Sequence, residues 1–178
     1  SKLQIPNNKE TPNPKPQITN ICNLVLVISL RFGACNLKLM RTIFIGDIFG
    51  KIGRKAVVEI LPKWRKKYKP DFVIAQNENL AHGVGITRKT VREVLDAGVD
   101  CLTGGNHTFK GEGREMLADH TLPLLRPANY PPGLPGRGEM IVQSKNGKFR
   151  LLVINLIGRV FFHQNFDDPF RMLDALLV

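Results

Sequence analysis

Three short runs of β-forming residues, 42–45, 72–75 and 101–103, each give way to glycine or polar residues and then to a stretch of helical spacing. The first, Thr42-Ile43-Phe44-Ile45, is closed by Gly46, and Val57, Ile60, Leu61 and Trp64 then recur at helical intervals through 56–67. The second, Phe72-Val73-Ile74-Ala75, follows Pro70 and leads to Val91, Val94 and Leu95 on one face of 87–97, ended by Gly98. The third, Cys101-Leu102-Thr103, runs into Gly104-Gly105, with a further helix predicted between 111 and 118. A strand reached from its predecessor through a helix returns parallel to it, so the pattern predicts an α/β domain with a largely parallel sheet flanked by helices.

After Leu122 the texture changes. Pro123, Pro127, Pro131, Pro132 and Pro135, with Gly133, Gly136 and Gly138, exclude a helix and predict a long irregular segment. Residues 139–143 and 149–155 flank Lys145-Asn146-Gly147-Lys148, and Asn-Gly is the favoured two-residue turn of a hairpin. The expected architecture is therefore βαβαβ followed by an antiparallel pair, with a helix beginning near Asp168. At 178 residues the chain has room for one core rather than two.

Residues 1–39 have a different texture. Residues 1–20 are rich in Pro, Asn and Lys without an apolar period, which reads as disordered or extended chain. The apolar run ICNLVLVISL (21–30) stops at Arg31 after ten residues, against the roughly 20 that a bilayer span needs. Phe32-Gly33-Ala34-Cys35 faintly resembles a lipoprotein cleavage site, but the segment before the apolar run is long, holds four prolines and has little positive excess. A strand pattern follows Met40 at once. The expectation is a native domain starting at Met40, with residues 1–39 a disordered or non-native extension that takes no part in the chemistry.

Lys plus Arg outnumber Asp plus Glu by 26 to 15, a net charge of +11, so polyanions, RNA among them, are natural partners. The tight basic run KWRKKYK (63–69) reads first as the solvated C-terminal end of a helix, where cations complement the dipole, and second as a phosphate contact. Cys22, Cys35 and Cys101 are odd in number and without CxxC spacing, which argues against a disulfide framework or a thiolate zinc site and for a reducing, cytoplasmic setting.

In open parallel sheets ligands gather beyond the carboxyl ends of the strands. Here those ends carry Gly46-Asp47, then Gln76-Asn77-Glu78-Asn79, then Gly104-Gly105-Asn106-His107. Asp47, Glu78, Asn79, Asn106 and His107 are predicted to converge in one cleft, where four oxygen donors and an imidazole suit a metal or phosphate site. Taken singly each has a plain alternative, such as a helix cap for Asp47 or a solvated loop for Glu78. Recurrence at three successive strand ends favours the site. Phosphate-loop readings fit worse: Gly46 and Gly50 are separated by three residues where the P-loop needs four, and Ile52 stands where its hydroxyl would be.

GDIFGKIGR (46–54), NENLAHGVGIT (77–87), GGNHTF (104–109) and RPANYPPGLPGRG (126–138), with INLIGR (154–159) and DDPF (167–170), resemble the successive motifs of the YmdB-like bacterial metallophosphoesterases. That family belongs to the calcineurin-like superfamily, with an αββα sandwich fold, and acts as 2′,3′-cyclic-nucleotide 2′-phosphodiesterases. The resemblance implies Asp47 as a first-metal carboxylate, Glu78 as a metal-bridging carboxylate, Asn79 as a polar metal-site residue and Asn106 as the amide ligand of a second metal. It implies His107 as the general acid, two iron or manganese ions as cofactors, and a cyclic nucleotide or other phosphodiester as substrate. The family's remaining ligands are histidines, including a His-x-His pair. Here the histidines are His82, His107, His120 and His163, none so spaced. His82 is expected to line the cleft, and His120 and His163 are not expected to be ligands.

Two further expectations follow from that difference. The chain corresponds to an N-terminal portion of the enzyme, inactive or nearly so alone and weak toward transition metals. Its sheet lacks a covering layer, so an apolar face is left open to self-association. The competing expectation is a non-catalytic RNA- or nucleotide-binding fragment. No membrane partner is expected.

Overall fold

The computed structural model describes residues 39–177, so the expectations for 1–38 lie outside the described residues. The elements run β1 (Thr42–Asp47), α1 (Gly50–Tyr68), β2 (Phe72–Gln76), α2 (Arg88–Asp96), β3 (Cys101–Thr103), α3 (Gly113–Ala118), β4 (Leu124–Leu125), β5 (Glu139–Gln143), β6 (Arg150–Ile154) and α4 (Pro169–Leu177). Strands β1-β2-β3-β4 pair in that order, all parallel, and β5 pairs antiparallel with β6. The α/β class and the hairpin are as predicted from the sequence.

Strand alternation sorts the core into two layers. Val73 and Ala75 of β2, Leu102 of β3 and Ile43 and Ile45 of β1 pack with Val57 and Leu61 of α1 and Val91 and Val94 of α2. The intervening Phe72, Ile74, Cys101 and Leu125 point to the opposite face and meet Val142, Met140, Leu151 and Val153 of the hairpin. The expected missing layer is thus corrected: the hairpin covers β2, β3 and β4. Among the described residues the edge strand β1 stays open on this face, with Phe44 42% exposed. Burial also pushes the Cys101 thiol up to about 12, which makes it a packing group rather than a nucleophile.

Three elements depart from expectation. Helix α1 starts six residues earlier than its apolar period, because Gly50 N–H donates to the Asn79 carbonyl (2.8 Å) and Gly53 sits tight against Ile48, where a Cβ would stand 3.2 Å from its backbone and side chain. Strand β4 is two residues long between Pro123 and Pro127, too short to leave a pattern. Arg65, which the sequence sets in a solvated run, is mostly buried: Nε donates to the Gly98 carbonyl (2.8 Å) and Nη2 to Asp100 Oδ2 (2.5 Å), with side-chain exposures of 18% and 15% for the pair. Lys66 and Lys67 remain exposed in the last turn, as predicted. Because Arg65→Ala would strand a buried Asp100, it should cost about 3 kcal/mol of stability in urea unfolding. A loss below about 1 kcal/mol would class the pair with solvent-screened bridges.

A candidate active site at the strand ends

Each site residue is delivered by a local feature of the chain. The β1–β2 register is regular to Ile45↔Ala75 and then jumps to Asp47↔Gln76, so Gly46 is the extra residue of a bulge that re-aims Asp47 at the sheet edge. Beyond β2, Asn77 N–H donates to the Thr103 carbonyl (2.9 Å) and carries Glu78 alongside the end of β3. Gly85 N–H closes the 78–85 turn on the Glu78 carbonyl (2.6 Å). Arg54 holds this turn from α1, donating to the Leu80 carbonyl and, through Nε, to Glu93 Oε2 (2.7 Å).

The side chains then join. Asn79 Nδ2 donates to both Asp47 carboxylate oxygens, at 3.0 Å each, and Asn79 Oδ1 lies 2.7 Å from His107 Nδ1. An amide oxygen only accepts, so this contact places the proton on Nδ1 and leaves Nε2 as the nitrogen able to exchange a proton with a ligand. Glu78 is buried, and its oxygens accept from Gln76 Nε2 (2.7 Å) and from the His107 backbone N–H (2.9 Å). No Lys, Arg or His among the described residues forms an ion pair with it. A buried carboxylate without a counter-charge is a place where a cation would be stabilised.

Asp47, Glu78, Asn79 and His107 are therefore in one hydrogen-bonded set. Asn106, between Gly105 and His107, is half-buried and makes no side-chain hydrogen bond among the described residues. His82 is exposed, with a left-handed backbone (φ 55°), next to Gly83 on the same turn. His120 and His163 are exposed and outside the set. Among the described residues no three His, Cys, Asp or Glu side chains form a metal-binding group. The oxygen-rich set fits a cation in donor type, with amides contributing beside the carboxylates.

Sequence reasoning misses the supports. Gln76 is the partner of Glu78, and Thr108 Oγ1 accepts from Gly105 N–H (2.7 Å). Tyr130 donates its hydroxyl to the Gly105 carbonyl (3.1 Å), with its ring set edge-on to Phe109 at 5.4 Å. Burial, and then the charge of Glu78, raise the Tyr130 hydroxyl above its ordinary range, so it stays a neutral donor. Asn155 Nδ2 reaches the Gly104 carbonyl at 3.1 Å from the far end of the hairpin. The signal for Tyr130 is present in RPANYPP, but nothing local assigns it a partner.

Gly105 has no room for a side chain beside the site, since a Cβ there would overlap both carboxylate oxygens of Glu78. Gly105→Ala should cost about 1–3 kcal/mol of stability from overpacking. By displacing Glu78 it should also lower turnover about 100-fold. Thermal melts and rates on the same preparation check both; a variant with unchanged rate would show that the Glu78 position is immaterial.

Residues 43–178 match the family model described as YmdB-like protein. Over 138 residues the chain is 46% identical to a 2′,3′-cyclic-nucleotide 2′-phosphodiesterase of Bacillus subtilis (strain 168), a match covering 78% of this chain and 51% of that protein. A crystal structure of a hypothetical protein from Thermus thermophilus superposes with a TM-score of 0.70 at 42% identity, covering 78% of this chain and 52% of that one. A crystal structure of a novel phosphatase from Mycoplasma pneumoniae superposes with a TM-score of 0.69 at 30% identity, covering 78% and 50%. The chain spans about half the length of the curated relatives it matches. No helix among the described residues is long and apolar enough to cross a membrane.

Proposed function

Since this chain belongs to the YmdB-like protein family, we propose that its site serves metal-dependent hydrolysis of 2′,3′-cyclic nucleotides to 3′-nucleotides. The observation that carries the reading is the Asp47–Asn79–His107 relay set beside a buried, uncompensated Glu78. The name of the Bacillus relative, 46% identical, supplies the substrate class.

Asp47, Glu78, Asn79 and Asn106 would hold the metal, for which iron or manganese, two ions in all, is the proposed identity. When bound, such cations neutralise phosphoryl charge and lower the pKa of water. The chain's own residues supply the rest. Asn79 fixes the His107 ring through Nδ1, so that in the protonated form Nε2–H points away from the relay and is free to act as an acid. A water oxygen bonds to phosphorus as the bond from phosphorus to the 2′-oxygen breaks. His107 gives its proton to that 2′-oxygen, water releases a proton to solvent, and the phosphate stays on the 3′-oxygen. Adjacent in sequence, Asn106 and His107 divide the tasks of ligand and acid.

The test is incubation with 2′,3′-cAMP and Mn²⁺ or Fe²⁺ of the chain extended to the full length of its relatives, since the chain spans about half of that length and is expected to be nearly inactive alone. The expected product is 3′-AMP, abolished by chelation and restored by metal. Salt-sensitive nucleotide or RNA binding that survives Glu78→Ala, without turnover, would replace this reading with a non-catalytic binding module.

A further inference from the structure

Phe49 is a large aromatic side chain left 62% exposed, two residues beyond Asp47. It is nevertheless held in place. Its ring lies directly on Gly83, whose φ of +89° and missing side chain make the seat: a Cβ there would stand 2.9 Å and 3.0 Å from Cε2 and Cε1 and overlap Cζ. The backbone is fixed as well, because the Phe49 carbonyl accepts from Gly53 N–H (3.0 Å) and the next residue, Gly50, donates to the carbonyl of Asn79 (2.8 Å). Asn79 is the residue that links Asp47 to His107. An exposed ring is thus anchored one peptide from the polar relay. Val84, next to the Gly83 seat, is 49% exposed, and Ile52, in the first turn of α1, is 85% exposed, so the ring has exposed apolar neighbours in sequence beside the exposed Asp47, Lys51 and His82.

A relay of carboxylate, amide and imidazole suits a phosphate, whereas a fixed, exposed phenyl face suits a flat aromatic group. We propose that Phe49 is the nucleobase platform of this site: it stacks the base of a nucleotide whose phosphate lies at the Asp47–Asn79–His107 set. This deepens the functional reading above and rests on it. Every base has a π-face, so stacking of this kind tolerates all four, with purines held more firmly than pyrimidines for their larger area. The platform contributes to binding the substrate and leaves the proton transfer to His107.

The test compares two probes, 3′-AMP and ribose 3-phosphate, by titration calorimetry on the full chain with Mn²⁺ present, for the wild type, Phe49→Ala and Phe49→Trp. Phe49→Ala should weaken 3′-AMP about 5- to 150-fold, the range for losing one base–aromatic stack. Ribose 3-phosphate should be unaffected. Phe49→Trp should retain 3′-AMP binding, which separates loss of the platform from loss of fold. Equal weakening of both probes, or no weakening of 3′-AMP, would overturn the platform alone. Failure of both probes to bind the wild-type chain would remove the functional reading together with the platform.

Discussion

Replacing His107 with Asn should lower hydrolysis of 2′,3′-cAMP by about 10²–10⁴-fold, the range of a positioned general acid. The protein should remain folded, since His107 is half-buried at a strand end and its structural tie to Glu78 is made by the backbone N–H, which Asn keeps. The diagnostic lies in the leaving group. A 2′-alkoxide needs a proton, but p-nitrophenolate does not, so the deficit should shrink sharply with a p-nitrophenyl phosphodiester. An equal deficit on both substrates would assign His107 to holding the metal or the substrate rather than to proton donation.

Glu78→Gln should have the other large effect, with opposite signs in two measurements. Turnover should fall by about 10³-fold, corresponding to the several kcal/mol of charge stabilisation that a bound cation supplies, and bound metal should fall in parallel. Melting of the metal-free chain, in contrast, should be unchanged or raised. Glu78 is buried without an ion-pair partner, and a neutral amide of the same shape removes an uncompensated charge while keeping an acceptor for the His107 N–H. If the variant instead melts well below the parent, the carboxylate is there for architecture, and the metal-site assignment loses its physical basis.

Much of this molecule is legible in local sequence. The strands announce themselves as β-branched runs and the polar residues that close them form the candidate site, because a parallel sheet forces its carboxyl ends to one edge. Helix α2, expected over 87–97, spans Arg88–Asp96, with Thr87 as the N-cap of a Thr87–Thr90 capping box that the sequence reading does not single out. The start of α1 is hidden because Gly50 and Gly53 look like loop residues, although Gly53 packs closely against Ile48 inside the helix. Arg65 looks solvated because its partners, Gly98 and Asp100, lie more than 30 residues away. Asn79 reads from the sequence as a metal-site residue, but what it visibly does is tie a carboxylate to an imidazole. Gln76, Tyr130 and Asn155 are invisible for a common reason: their roles are defined by contacts that no local period records.

The reach of Asn155 to the Gly104 carbonyl spans 51 residues, the longest side-chain tie to the glycine loop that carries Asn106 and His107. Loop closure over such a span is entropically costly and slow compared with forming the helices. During synthesis the first three strands and their helices can assemble early, with Thr108, Glu78 and Tyr130 already tying the glycine loop, but the Gly104 carbonyl lacks its Asn155 partner until residue 155 has left the ribosome. The hydrogen bonding of this loop is therefore completed later in the chain than the parallel framework that carries it.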